Sequence, residues 1–355
     1  MTGGKKDRDS EETGRPSRPA RTGPGVQIVP YEPRYRDDTL AFLAKWNPEH
    51  PELGDGALFE WQQGRRWLAL FQGRITGHIA QIPHTLKAGG GTVELGWAAT
   101  LVLDTSNPLI QTFAGTALLD EVTRKSALTF GAVGIVPEIA ATHRKRGYVV
   151  YDDAVAMYAR FFRPAPALKY YNKPAVLSFP VRLVNVLFPT RRRAGDQNEI
   201  QRIDRFDPVW DATWDRLLAE RNDVYTERTA AFLNHKITQP HKEYVCCIHT
   251  GEKGRSPAGY IIFRRAAHRT RDLRLLKVVD LVGTDSARTA LLAQAVIAAR
   301  RAGVDGIVGL NAVGDRRIFS RCGLWLRRPF PVVLTGGYGG RMQVTFFDSD
   351  LDNLW

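Results

Sequence analysis

Cysteine is scarce in this chain of 355 residues: there are three, two of them adjacent at Cys246 and Cys247 in an apolar segment. That number and spacing exclude a disulfide framework and a cysteine-based metal site. The three read as small core residues of a reducing compartment, so a cytoplasmic location and no metal are expected. Long apolar runs are also lacking. The longest, residues 175–188, carries Pro180 and Arg182 and stops at Pro189; it is too short and too interrupted to cross a bilayer core of about 30 Å. Nothing resembles a secretory leader. Arg191, Arg192 and Arg193 follow that stretch, which permits a peripheral membrane contact beside the plainer reading as an interdomain connector. Acids are in deficit, with 37 Asp and Glu against 50 Lys and Arg and a net charge of +13. The basic residues are mostly interspersed with acids, so the charge by itself identifies no nucleic-acid binder.

What is present is a repeat. Thr116-Ala117-Leu118-Leu119 recurs as Thr289-Ala290-Leu291-Leu292. Trp61 with His235, the strand-like 75–82 with 258–265, and Gly147 with Gly323 keep a similar offset. A period this long implies a duplicated domain and not a solenoid, whose repeats run to roughly 20–50 residues. The length is about two domains, and 43% hydrophobic residues are enough for each half to bury its own centre. Residues 1–25 are Gly-, Pro-, Ser- and charge-rich with almost no apolar side chain, and are expected to form a disordered tail. The expected organisation is an N-terminal domain over 26–163, a connector over 164–203 and a C-terminal domain over 204–355.

In the first copy, the apolar spacing predicts helices over 37–46 and 57–63. Strands over 67–71 and 75–82 flank a hairpin turn at Gln72-Gly73-Arg74, and a long strand covers 93–104. A helix over 113–126, a strand over 130–136, a short helix over 137–146 and a final strand pair through 148–162 complete the unit. The second copy repeats the plan: helices over 210–221 and 227–237, strands over 244–249, 259–263 and 275–282, a helix over 287–302, then 306–310, 315–321 and 326–334. This makes an α/β unit with a mixed sheet flanked by helices.

That order resembles the GNAT superfamily of N-acetyltransferases, from Val26 onward. Residues 93–104 look like its fourth strand, 113–126 like its cofactor helix, and Thr142 to Tyr148 like its closing segment, matched again at Ile318 to Leu324. The resemblance implies two tandem acetyltransferase-like domains. Tandem copies are also similar to Fem-type aminoacyltransferases, and the tail Phe347-Asp348-Ser349-Asp350-Leu351-Asp352 is similar to acyltransferase-like proteins of bacterial polysaccharide gene clusters.

The resemblance further implies a donor, acetyl-CoA or another acyl-CoA, whose pyrophosphate meets backbone N–H groups at a helix start. Gln111, Phe113, Ala114, Gly115, Thr116 and Ala117 fall at that place, although the usual glycine motif is incomplete there. The matching loop at Thr284-Asp285-Ser286 has no glycine, so the N-terminal domain is expected to hold the donor and the other to shape the acceptor pocket. Leu101 and Leu103 are expected to hold the pantetheine arm, Glu94 to act as base, and His143 to protonate the leaving thiolate. Trp61 and His235 are expected near the acceptor. The basic run from Arg264 to Arg274 reads as a solvated hairpin tip, or as a landing strip for an anionic acceptor such as a nucleotide-linked sugar or tRNA. The leading expectation is an N-acyltransferase acting on an amino sugar or another amine-bearing cell-envelope or natural-product precursor. The alternatives are tRNA-dependent aminoacyl transfer and a non-catalytic binding protein.

Overall fold

The computed structural model of the chain describes residues 25–48, 50–124, 128–135, 137–170, 172–174, 179, 199–251, 256–268, 272–348 and 352. The expected N-terminal tail, apart from Gly25, and the Arg191-Arg192-Arg193 cluster lie outside the described residues.

Gln72 and Gly73 both adopt positive φ, 49° and 75°, the backbone that lets a two-residue turn follow the twist of its strands. Strand β2 (Arg65–Phe71) therefore folds straight back as β3 (Arg74–Ala88), and β3 returns as β4 (Gly91–Leu103). With β1 (Val26–Pro30) on the free edge of β2, these strands make an antiparallel meander. β3 runs past the expected end at Ile82 because its far end pairs with β8 (Val224–Thr226) of the other half. Helices α1 (Arg36–Trp46) and α2 (Gly56–Trp61) precede the meander. Asp55 starts α2 by accepting the Leu58 N–H at 2.9 Å, a side-chain cap on an otherwise unpaired donor. The half closes with α3 (Pro108–Arg124), β5 (Thr129–Val133), α4 (Pro137–Lys145) and β6 (Val149–Phe161).

After α5 (Pro164–Tyr170) the second half repeats the order. It contains β7 (Ile200–Ile203), α6 (Asp211–Ala219), α7 (Ala230–Ile237), β9 (Tyr244–Thr250), β10 (Pro257–His268) and β11 (Leu273–Gly283). Then come α8 (Asp285–Arg301), β12 (Gly306–Ala312), α9 (Arg316–Arg321), β13 (Leu326–Leu334) and β14 (Met342–Gln343). Two expectations need correcting. Residues 148–162 contribute one strand and not a pair, and β7, inside the expected connector, pairs with β9 and so belongs to the second half's sheet.

The two halves share a single 14-stranded mixed sheet, in the order β1-β2-β3-β4-β5-β13-β6-β12-β11-β10-β9-β7, with β8 and β14 attached off that path. The centre of this order is a strand exchange. β13, the last long strand of the second half, lies between β5 and β6 of the first, while β6 pairs with β12 of the second. Each half thus receives from the other the strand that completes it. The largest core follows the exchange: Leu95 and Trp97 of β4 share one cluster with Trp214, Tyr260 and Phe346. The halves therefore do not each bury a separate centre. Smaller cores lie under α3 (Ala114, Leu118, Val122 and Phe130) and under α8 (Leu291, Leu292, Ala295 and Val296).

The two long helices keep the 173-residue offset in their buried faces: Ala114, Ala117, Leu118 and Val122 are buried, as are Ala287, Ala290, Leu291 and Ala295. On that register α3 begins about one turn before α8 does. Its extra turn has local causes. Asn107 accepts the N–H groups of Leu109 and Ile110 at 3.1 and 3.3 Å, and Pro108 follows at the first helical position, where a missing N–H costs nothing. The helix start expected near residue 113 is thereby displaced to 108.

Candidate functional site

Two parallel strands that part company leave a slot, and this sheet contains two such places. β4 and β5 pair only over Leu95 to Trp97 against Thr129 to Gly131. Beyond Trp97, β4 bulges: Ala80 faces Ala99, but His78 faces Val102, and Thr100 takes a φ of 50°. His78 Nδ1 donates to the Thr100 carbonyl at 2.9 Å, and burial holds this imidazole at about 4 and hence neutral. The opening carries apolar side chains in water: Leu101 is 37% exposed, Phe113 38% and Leu109 71%.

The residues expected to cradle phosphate sit differently. Gln111, Phe113, Ala114, Gly115, Thr116 and Ala117 are all within α3, where backbone N–H groups serve the helix ladder. Ala114 and Ala117 are buried core residues. A Cβ at Gly115 would lie 2.9 Å from the Leu103 side chain, so the glycine permits close contact between α3 and β4. The helix end able to meet an anion is at 107–110, where Asn107 holds the Leu109 and Ile110 donors and the Gln111 N–H reaches the Asn107 carbonyl at 2.9 Å.

In the second half the same place is filled. β11 and β12 pair over Leu275 to Val278 against Gly306 to Gly309, and every residue of β11 past that point is buried. Arg288, standing where the first half has Gly115, is 1% exposed and clamps Asp315 with both terminal nitrogens, one at 3.0 Å. Arg221 bonds Asp285 at 2.5 Å, and Thr284 caps the helix. A buried guanidinium–carboxylate pair and its neighbours plug the slot.

Glu94 lines a cavity of about 520 Å³ at an interruption in the edge of β3. β2 pairs with that edge up to Gln81 and β8 from Leu86 onward; between them the edge has no strand partner. Arg65 and Gln81 of the first half and Glu227, Thr229 and Phe232 of the second also line the space. His84 belongs to its wall, with both ring nitrogens buried and without hydrogen-bond partners. Burial, reinforced by Lys236, pushes its imidazole well below the usual range. Sequence reasoning missed Arg65, His84 and Glu227. Continuing the strand through His84, Thr85 and Leu86 was the signal that could have found them. A larger cavity, about 990 Å³, lies beside β9 and α8 and is lined by residues of the second half alone.

His143 is not where a proton donor to a cleft would stand. It is 1% exposed and packs between Phe130 and Tyr148, with ring centroids 5.6 and 5.2 Å away. Burial, with Arg146 adding to it, holds its imidazole at about 4, so at neutral pH it is an uncharged core ring. The matching Phe319 likewise stacks on Tyr158 at 4.4 Å. Trp61 and His235 meet each other across the two halves, and neither lines the 520 Å³ cavity.

The basic run is solvated only in part: Arg265 and Arg274 are exposed, but Arg264 is buried. β10 continues through it to His268, and Arg264 is buried on Asp352, which also binds Lys242 and Lys277. Burial alone would raise the Asp352 carboxyl, yet these cations hold it well below the ordinary range. Arg274 approaches Asp305 at 3.9 Å, while Arg269 and Arg271 lie outside the described residues. Among the described residues no cluster of three His, Cys, Asp or Glu could hold a metal ion, and no helix is long and apolar enough to cross a membrane.

No protein-family model matches the chain, and no curated protein sequence matches it. Solved structures do. Saccharomyces cerevisiae N-myristoyltransferase with bound myristoyl-CoA superposes with a TM-score of 0.59 at 12% identity, over 92% of this chain and 86% of that one. A GCN5-related N-acetyltransferase from Anabaena variabilis ATCC 29413 gives 0.56 at 14% identity, over 86% and 72%. A conserved protein from Enterococcus faecalis V583, described as a probable N-acyltransferase, gives 0.56 at 13%, over 87% and 72%. The chain therefore has the fold of the GNAT superfamily, built as two like halves on one continuous mixed sheet.

Proposed function

We propose that the protein is an acyl-CoA-dependent N-acyltransferase whose first half binds the donor and whose second half helps to form the acceptor pocket. The observation that carries this reading is the asymmetry of the two slots. Leu101, Phe113 and Leu109 are exposed at β4 and the start of α3, whereas at α8 Arg288 is buried on Asp315. The pantetheine arm would lie along β4 past the bulge at Thr100, with Leu101 and Leu103 beside it, and phosphate oxygens would replace Asn107 at the Leu109 and Ile110 N–H groups.

The donor brings the activated acyl group. The acceptor amine attacks its carbonyl carbon, so that a C–N bond forms, the C–S bond breaks and the thiolate leaves. Fixing both reactants in one site is worth a large part of such a barrier. Glu94 would take the proton that the amine loses, and neutral His143 would take no part. The acceptor class we favour is an amino sugar or a similar amine-bearing precursor. All three cysteines are free and buried, which suits reaction in the cytoplasm. Thermal unfolding with coenzyme A, acetyl-CoA and longer acyl-CoAs tests the reading: a saturable rise in melting temperature is expected, and no rise with any of them overturns it.

A further inference from the structure

Two opposite charges share the cavity at the interrupted edge of β3 without neutralising each other or anything else. Arg65 and Glu94 both line it, both are exposed, and neither side chain has an ion-pair or hydrogen-bond partner among the described residues. Glu227, the second carboxylate there, is already engaged by Lys87 at 3.5 Å. The sheet register fixes how the unpaired charges stand. Arg65 is opposite Gln81, and Glu94 is opposite Thr85. Residues directly opposite share a face, as do Gln81 and Thr85 on one strand, so both side chains rise from the same side of the sheet.

They rise apart. Four residues along β3 span about 13 Å and two strand spacings about 9.6 Å, so the two Cα atoms are roughly 16 Å apart. Long side chains converging from that distance leave several ångströms between a guanidinium and a carboxylate, too far for a mutual salt bridge. Phe232 supplies an apolar surface beside the gap, and Gln81 and Thr229 supply hydrogen-bonding groups. The first β4 residue beyond the pairing with β5 is Ala98, and it lies opposite Gln81. The cavity and the open slot therefore approach the same stretch of sheet.

We infer that the acceptor amine carries an anionic group several ångströms from its nitrogen, as in a phosphorylated amino sugar, with the ammonium at Glu94 and the anion at Arg65. This assignment rests on the acyl-transfer reading for the word acceptor, but the cavity's preference for such a ligand does not. A planar guanidinium matches a phosphate or carboxylate in a two-bonded geometry. An unpaired carboxylate at the other end selects an amine over a hydroxyl.

The test uses the full chain and three probes, glucosamine 6-phosphate, glucosamine and glucose 6-phosphate, titrated by calorimetry and by backbone-amide shifts. Glucosamine 6-phosphate is expected to bind at least about ten-fold tighter than either probe lacking one charge, the scale of one charge-assisted contact. Shifts should fall at Arg65, Thr85, Glu94 and Glu227. Arg65→Gln should erase the advantage over glucosamine, and Glu94→Gln the advantage over glucose 6-phosphate, with unfolding midpoints near the parent's. Equal binding of the three probes, no binding of any, shifts elsewhere, or both variants behaving as the parent would overturn the inference. Coenzyme A binding is read separately. A chain that takes the sugar phosphate but no coenzyme A refutes acyl transfer and keeps the cavity, and the reverse refutes the cavity alone.

Discussion

Trp61 and His235, which hold matching places in the two halves, stack on one another with ring centroids 4.9 Å apart and planes inclined by 11°. The Trp61 indole N–H also donates to the His235 carbonyl at 3.2 Å. The ends of α2 and α7 are thereby pinned across the joint between the halves. Trp61→Ala is expected to lower the unfolding free energy by about 1–3 kcal/mol. A double-mutant cycle with His235→Ala should return a coupling of about 1 kcal/mol, since stacked pairs are worth that beyond their buried area. Urea unfolding of the four proteins measures it, and additive losses would show that the stack contributes nothing of its own.

Asn107 decides whether the start of α3 is free to meet a phosphate. Asn107→Gly removes the side chain from the Leu109 and Ile110 donors at a cost of a few tenths of a kcal/mol, about the usual penalty for glycine at a cap. It should enlarge the melting shift given by a fixed, subsaturating concentration of coenzyme A. Asn107→Asp keeps the cap but sets a carboxylate where phosphate would sit, and should abolish the shift. The same shift in all three proteins would place the phosphates elsewhere.

Two buried imidazoles, His78 and His143, are held at about 4 against an ordinary 6.5. Unfolding frees both to bind protons that the folded state refuses, so stability rises with pH across this window. It is full above about 6.5 and is lost as pH falls toward 4. At pH 5 each ring costs on the order of 2 kcal/mol relative to pH 7. His143→Phe, which keeps a ring between Phe130 and Tyr148, should therefore reduce the acid-induced loss by about that amount. Chemical denaturation at pH 7 and pH 5 reads the difference directly, and an unchanged loss would mean that His143 is protonated normally in the fold.

The plug in the second half should behave as a buried pair and not as a surface contact. Asp315→Asn leaves the Arg288 guanidinium buried beside an amide and is expected to cost about 3–5 kcal/mol. Asp285→Asn, at a carboxylate 61% exposed, should cost less than about 1 kcal/mol. Comparable losses at the two positions would contradict the closed slot.

Much of this was legible in the sequence, and the exceptions have physical causes. The Thr-Ala-Leu-Leu repeat and the order of helices and strands gave the fold because buried faces recur with local periodicity. Nothing local says which strand lies beside β6, since any antiparallel partner satisfies its alternation, so the exchange with β13 stayed invisible. Asn107 followed by Pro108 is a helix start in plain view, but the glycine at 115 drew attention to a loop that is in fact the third turn. His143 was expected to face a cleft and protonate a thiolate; a short amphipathic helix can instead turn one such residue to the core while Arg144 reaches Asp152 and Arg146 reaches Asp120. Arg65 and Glu94 are distant in sequence and line one cavity only because β3 lies between their strands.

The insertion of β13 between β5 and β6 also sets a timetable for synthesis. When β6 leaves the ribosome, the first half still lacks the neighbour it will keep, and roughly 170 further residues must be translated before that neighbour exists. At about 5–20 residues per second this is a wait on the order of 10–30 s, during which the edge of β5 stands open. A nascent chain with an unpaired apolar strand edge for that long is a natural client for chaperones, and premature termination anywhere before Leu326 leaves a product that cannot close its sheet.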